Sequence, residues 1–270
     1  MVDRALIARE LGTLGVAQGD VLMVHASLKA LGPVEGGPAA VVGALMDAVG
    51  PEGTIMGYAS WDRSPHGETL NGARMDAAAR RGWPAFDPAT AGVYPGFGLL
   101  NRFIAETPGA WRSAHPDASM VALGARAREL VAPHRLGQAF GPGSPVERFI
   151  RMGGRVLMLG APLDAVTALH YAEAVAEIPG KRRVSYEMPL RGPDGRTVWR
   201  RCEDFDSNGI LDRFAAEGGP DGVETIARAY AALDRHCEGM VAGARCHLFD
   251  AGDITAFGVG WLEARFGCGG

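Results

Sequence analysis

Arg155-Val-Leu-Met-Leu-Gly160 runs directly into Ala161-Pro-Leu-Asp-Ala-Val-Thr167-Ala-Leu-His170-Tyr-Ala-Glu173. A short apolar run flanked by glycines has the pattern of a buried strand, and the residues after it have helical spacing. Asp164 is placed to cap that helix, and Thr167, His170 and Glu173 recur every third residue on neighbouring parts of one face. An imidazole is therefore held on a rigid element. A lone helical histidine also occurs as a satisfied core or interface residue, so the rest of the chain has to decide between the two readings.

On either side of this stretch, apolar runs and helical patterns alternate with brief glycine or proline punctuation, which marks an α/β protein. A helix over about 3–14 leads through Gln18-Gly19-Asp20 to a strand at 21–24. A second helix over about 38–49 and the turn Gly50-Pro-Glu-Gly53 lead to a strand at 54–58. Further strands are expected at 119–123 and near 244–249. Helices are expected at 96–105, at 221–235, and from Asp250 or Asp253 to Phe266. A hairpin over 184–200 closes on Pro193-Asp-Gly195. No repeat, low-complexity tract or linker is visible, so the expectation is one domain over residues 1–270. It has a mixed central sheet with helices on both faces and a β-rich subregion at about 181–205. The segment 61–95 is far longer than the usual connection of about 4–6 residues. Its aromatic residues Trp61, Trp83, Phe86 and Tyr94 favour an ordered loop packed over a site.

Composition narrows the function. A chain of 270 residues that is 47% apolar and 21% charged has enough apolar surface for a full core. The N-terminus is a charged amphipathic helix without the signature of a signal peptide, and no window has the length of a membrane span, so a soluble, cytoplasmic protein with no membrane partner is expected. Four cysteines, Cys202, Cys237, Cys246 and Cys268, are too irregularly spaced for a disulfide framework or a zinc knuckle. They read as reduced and structural, and no metal is expected. A net charge of −4 without a clustered basic face argues against nucleic acid and suits a cationic ligand.

Several further segments carry chemistry. His25-Ala-Ser27-Leu28-Lys29 follows a buried strand, so it emerges at the carboxyl end where open α/β sheets bind ligands. Arg112-Ser113-Ala-His115-Pro-Asp117 gathers a cation, a hydroxyl and an imidazole that suit a phosphorylated cofactor. Gly141-Pro-Gly-Ser144-Pro145 offers a hydroxyl and backbone N–H groups, or simply a rigid turn. Cys202-Glu203-Asp204-Phe-Asp206-Ser-Asn208 reads either as an acidic site segment or as a solvated turn. A hydrolase built on His25 and Ser27 would lack the Gly-x-Ser-x-Gly elbow. A non-catalytic binder is the other competing reading.

Taken together, these segments resemble one family in order and spacing: the aminoglycoside 3-N-acetyltransferases, or antibiotic N-acetyltransferases. The resemblance is carried by Gly19-Asp-Val-Leu-Met-Val-His-Ala-Ser27, Gly50-Pro-Glu-Gly-Thr54, Trp83-Pro-Ala-Phe-Asp-Pro88, Tyr94-Pro-Gly-Phe-Gly98, Arg112-Ser-Ala-His-Pro-Asp117, Gly143-Ser-Pro145, Asp164-Ala-Val-Thr-Ala-Leu-His170 and Ile254-Thr-Ala-Phe-Gly-Val-Gly-Trp-Leu-Glu263. It spans nearly the whole chain and is nearest to the branch that modifies gentamicin-type antibiotics. The fold implied is that of the antibiotic N-acetyltransferases rather than the general control-type acetyltransferases, since Arg151-Met-Gly-Gly154 lacks the pyrophosphate signature of the latter.

The resemblance implies acetyl transfer from acetyl-coenzyme A to the 3-amino group of a 2-deoxystreptamine ring, or, on a nearer rival reading, to another small amine. It places Ser27, Leu28, Lys29, Arg112, Ser113, His115, Ser144 and Pro145 on the cofactor side and matches the catalytic histidine to His170. An ammonium has no lone pair, so a base must remove a proton as the C–N bond forms, and an imidazole with a reference pKa of about 6.5 is suited to that role. Asp206 is the expected orienting carboxylate, with Glu203 and Glu173 in reserve, and Thr167 is a candidate donor to the developing oxyanion. Asp62, Glu68, Asp87, Glu173, Asp204 and Asn208 are expected to receive the polycationic sugar.

Overall fold

A computed structural model describes residues 2–267; Met1 and residues 268–270, Cys268 among them, lie outside the described residues. The strands, in chain order, are β1 (Val21–Ala26), β2 (Thr54–Tyr58), β3 (Trp111–Arg112), β4 (Met120–Gly124), β5 (Arg155–Leu159), β6 (Arg183–Arg191), β7 (Thr197–Phe205), β8 (Cys237–Val241) and β9 (Ala244–Asp250). Seven of them form one sheet in the order β3-β4-β2-β1-β5-β9-β8. β1 is parallel to both β2 and β5, while the outer strands join antiparallel, so the sheet is mixed as expected.

The two-residue period of a strand divides the apolar residues of β1 between two cores. Val21 and Met23 pack in one, Leu22 and Val24 in the other. The second core is covered by the helices Arg4–Leu14, Gly37–Val49 and Leu100–Glu106; the first by Pro145–Arg151, Leu169–Val175, Gly222–Ala231 and Ala251–Phe266. Burial of both faces explains why β1 and β5 read as unbroken apolar runs. The chain leaves the carboxyl ends of β1, β2 and β5 at Ser27, Ala59 and Gly160, along one edge of the sheet.

β6 and β7 form a separate antiparallel hairpin with a small core of Val184, Tyr186 and Met188. It anchors the long loop. Phe86 N–H donates to Pro189 O at 2.8 Å, Glu187 N–H donates to Thr69 Oγ1 at 3.0 Å, and Arg80 donates to both oxygens of Glu187 while stacking over Trp199. Trp61 and Phe86 pack edge to face and are buried. The loop is therefore ordered, with short helical turns inside it.

Some local expectations need correction. Asp164 does not cap the His170 helix. It lies in a 3-10 turn over Leu163–Ala165, and the helix starts only at Leu169, leaving Thr167 in the turn before it. The helix expected from 96 starts at Leu100, because Gly98 adopts φ 95°. β8 and the helix Pro145–Arg151 were not anticipated. β8 is a sheet-edge strand without polar/apolar alternation, and the helix hides behind a Gly-Pro-Gly-Ser-Pro turn signature.

Candidate active site

His170 is fixed by its own helix. Its Nδ1–H donates to Glu173 Oε2 at 2.6 Å; the carboxylate side chain is 3% exposed and the imidazole side chain 18%. Three-residue spacing brings the two side chains together over one helical turn. A short, charge-assisted bond of this kind sets the tautomer, leaving the Nε2 lone pair free, and that nitrogen has no hydrogen-bond partner among the described residues. The carboxylate bonded to His170 is thus Glu173, one of the reserves, while the expected Asp206 is engaged elsewhere. Asp206 is held by Arg182 at 3.1 Å and accepts the Asn208 N–H, closing a turn at the end of β7.

The carboxyl ends of the parallel strands surround this pair. Phe140 lies against the His170 ring with centroids 4.9 Å apart, Tyr58 at the end of β2 meets Phe140 edge to face, and Phe97 stacks on Tyr58 at 4.2 Å. Asn101 fixes this row by donating from one amide nitrogen to the carbonyls of Tyr58 and Phe97. Phe97 and its neighbours Tyr94 and Leu99 are exposed, so an aromatic wall runs from solvent inward to the imidazole. His25, at the end of β1, is half-buried, with its Nε2 shielded from solvent. Desolvation holds its pKa down to about 4, with the nearby His170 adding to the effect, and its Nε2 has no partner. Sequence spacing gives no sign of this arrangement, because His25, Tyr58, Phe97, Phe140 and His170 meet only through the sheet topology.

The expected cofactor-side residues divide into two groups. Ser27, Leu28 and Lys29 emerge at the carboxyl end of β1, where Ser27 Oγ accepts the Ala30 N–H and Lys29 is exposed. Ser113 and His115 are buried and engaged internally, whereas Arg112 is half-buried and lines a cavity while bonding the loop base. Ser113 Oγ accepts the Met120 N–H and donates to His134 Nδ1, while His134 Nε2–H donates to the carbonyls of Gln138 and Ala139. His115 is fully buried, accepting the Ala118 N–H at Nδ1 and meeting the Tyr186 hydroxyl at Nε2. Arg112 donates to the carbonyls of Ser60, Ala91 and Gly92, which closes the base of the 61–95 loop. Burial lowers its pKa to about 10, against an opposing pull from Asp62. Ser144, fully buried, caps the helix that begins at Pro145, accepting the Glu147 N–H.

The acidic residues divide in the same way. Asp204 is buried, its carboxylate accepts the N–H groups of Ala139 and Phe205, and burial raises its pKa, so it shapes the segment that carries Phe140 and does not face a sugar. Asp87 accepts the Ala89 N–H and pairs with Arg191 at 3.5 Å. Asp62, Glu68, Glu203 and Asn208 are exposed. A cavity of about 970 Å³ lies at the loop base beside Asp62, Gly92, Trp111 and Arg112, and neither His170 nor Glu173 lines it. Thr167 is buried, and its hydroxyl makes one long contact, 3.4 Å to Ala165 O. Ser27 makes no hydrogen bond to His25 Nε2, so no serine–histidine pair is assembled among the described residues.

A histidine–carboxylate pair at the open edge of a mixed α/β sheet has the chemistry to accept a proton from an incoming group. Residues 23–263 match the family model for aminoglycoside 3-N-acetyltransferase. An aminoglycoside N(3)-acetyltransferase III from Serratia marcescens is 67% identical over 261 residues, which cover 97% of each chain. Among solved structures, sisomicin-bound AAC-VIa superposes with a TM-score of 0.95 at 53% identity, covering 98% of each chain. AAC-IIIb in binary complex with CoASH superposes at 0.92 and 41%, covering 100% of this chain and 99% of that one. The chain belongs to the aminoglycoside 3-N-acetyltransferase family, and is an acyltransferase. Among the described residues, no helix is long and apolar enough to cross a membrane.

Proposed function

We propose that this chain transfers the acetyl group of acetyl-coenzyme A to the 3-amino group of the 2-deoxystreptamine ring of gentamicin-type antibiotics, with His170 as general base, and so confers resistance. The reading rests on one observation: the His170 ring gives Nδ1–H to a buried carboxylate and keeps an unpartnered Nε2 at the carboxyl edge of β1, β2 and β5. The ammonium first gives up one proton to solvent, and from the resulting neutral amine Nε2 takes a proton as the N–C bond forms and the C–S bond breaks. The proton then passes to the departing thiolate, giving an amide and a free thiol with nothing else consumed. Glu173 holds the ring and stabilises the transient imidazolium. Negative charge on the thioester oxygen is met by the Thr167 hydroxyl and by the backbone N–H groups of Leu28 and Lys29 or of Val146, each such donor being worth about 3–4 kcal/mol.

Ser27, Leu28 and Lys29 receive the coenzyme, a role supported by their position at the strand ends and by the CoASH held in a relative of the same fold. Asp62, Glu68, Glu203 and Asn208 supply exposed acidic and polar groups for a polycation. An acetyl donor made inside the cell places the reaction in the cytoplasm. The test is coenzyme A release with gentamicin, kanamycin and streptomycin. Turnover is expected with the first two and not with streptomycin, which has no 2-deoxystreptamine ring. His170→Ala is expected to lose at least about 100-fold in kcat/KM; retention of activity in that variant would reject the assignment.

A further inference from the structure

His236, Glu238 and His247 come together at the opposite end of the sheet from the long loop. Glu238 and His247 are direct cross-strand partners on β8 and β9, and His236 immediately precedes β8. His236 Nε2 lies 3.0 Å from His247 Nδ1, and Glu238 Oε2 lies 3.9 Å and 3.5 Å from those two nitrogens. The point equidistant from the three atoms is about 2.0 Å from each, within the bond lengths of about 2.0–2.2 Å that zinc makes with imidazole and carboxylate. We propose that this triad is a binding site for a first-row transition ion such as zinc, separate from the acetyl-transfer site, with a water or small anion as fourth ligand.

Each group is prepared for that role. The imidazole side chains are 4% and 14% exposed, and the nitrogens that would bind the ion already face each other and the Glu238 carboxylate. His236 Nδ1 is buried without a partner, so the polar contacts of that ring are all at Nε2, where the second imidazole and the carboxylate lie. Arg245 grips Glu238 through Oε1, which turns Oε2 toward the histidines, as an outer-shell group does at a metal centre. Phe249 packs against both rings. An open cavity of about 600 Å³, lined by Gly160, Pro162, Glu238 and His247, gives access to the fourth position. His25, Met158, His247 and Glu238 lie in one row across β1, β5, β9 and β8, so with strands about 4.8 Å apart His247 is about 10 Å from the His25 position. An ion there would tie the segment after the helix Gly222–Ala231 to β9.

The test uses the full-length, tag-free protein after chelator dialysis. Co²⁺ titration is expected to produce the visible ligand-field bands of a four-coordinate site at one equivalent, with Zn²⁺ displacing the cobalt and raising the thermal midpoint. His247→Gln and the exposed-residue variant Glu238→Gln, each checked for folding by circular dichroism, are expected to bind at least about tenfold more weakly, the minimum seen when even an outer-shell partner is lost. His170→Ala is expected to bind as the parent does. Absence of stoichiometric binding, undiminished binding in both His247→Gln and Glu238→Gln, or loss of binding in His170→Ala would each overturn the proposal.

Discussion

Glu173 reaches His170 from one turn along the same helix, so the pair is set by local backbone geometry and not by how the distant hairpin docks. That is why the nearby residue, and not Asp206, supplies the carboxylate: β7 ends in a turn that commits Asp206 to Arg182 before it can approach the imidazole. Glu173→Gln keeps an acceptor for Nδ1–H but removes the negative charge. On the proposed mechanism kcat for gentamicin should fall by about 100-fold or more while KM changes by less than about threefold, measured by steady-state coenzyme A release. A similar loss in KM alone would instead assign Glu173 to sugar binding. At this scale the sequence was legible wherever an interaction is local. The His170–Glu173 spacing can be read directly from the chain, whereas the partners of Ser113, His115 and Asp204 come from other elements and leave no periodic trace.

Among the elements, the segment from His134 to Phe140 supplies the ring that lies against the imidazole, and the 61–95 loop is clamped at its base by Arg112. His134 holds the carbonyls of Gln138 and Ala139 while Asp204 holds the Ala139 N–H, and this double grip presents Phe140 to His170. Asp204→Ala leaves two buried N–H groups unmatched, at a cost of about 1–3 kcal/mol each if no water replaces the carboxylate. It should lower both the denaturation midpoint and kcat, whereas Glu203→Ala, at an exposed position of the same strand, should leave both unchanged and raise only KM for the antibiotic. Arg112→Ala opens the base of the loop. If the loop forms a wall of the antibiotic site, KM for gentamicin should rise by about tenfold or more with a smaller change in KM for acetyl-coenzyme A. Strands and helices with strong apolar periodicity were readable from sequence. β8 was not, since an edge strand needs no buried alternation, and neither was the late start of the His170 helix, since three polar or small residues fit a turn as well as a helix.

For the molecule as a whole, burial of uncharged histidines on one side of the sheet sets the response to acid. His25 and His134 are each held at about 4, and His115 is also lowered, all chiefly by desolvation. Between about pH 6.5 and 4 the unfolded chain takes up these protons and the folded chain does not. Their contribution is thus fully present above pH 6.5 and drains away as the pH falls toward 4, on the order of a few kcal/mol in all. Urea midpoints at pH 7.5, 6, 5 and 4.5 should fall in that order, and His134→Gln should flatten part of the slope; a flat profile in the parent would contradict the burial of neutral rings. The mixed sheet and its two cores were legible because each apolar run must be buried on both faces; which residues line the edge was not, because strand order is invisible in a single chain. One more property follows from Arg112 gripping Ser60, Ala91 and Gly92. With both stems of the 61–95 segment clamped by a side chain rooted in β3, the conformation of the loop base is set independently of the helix that carries His170 and Glu173.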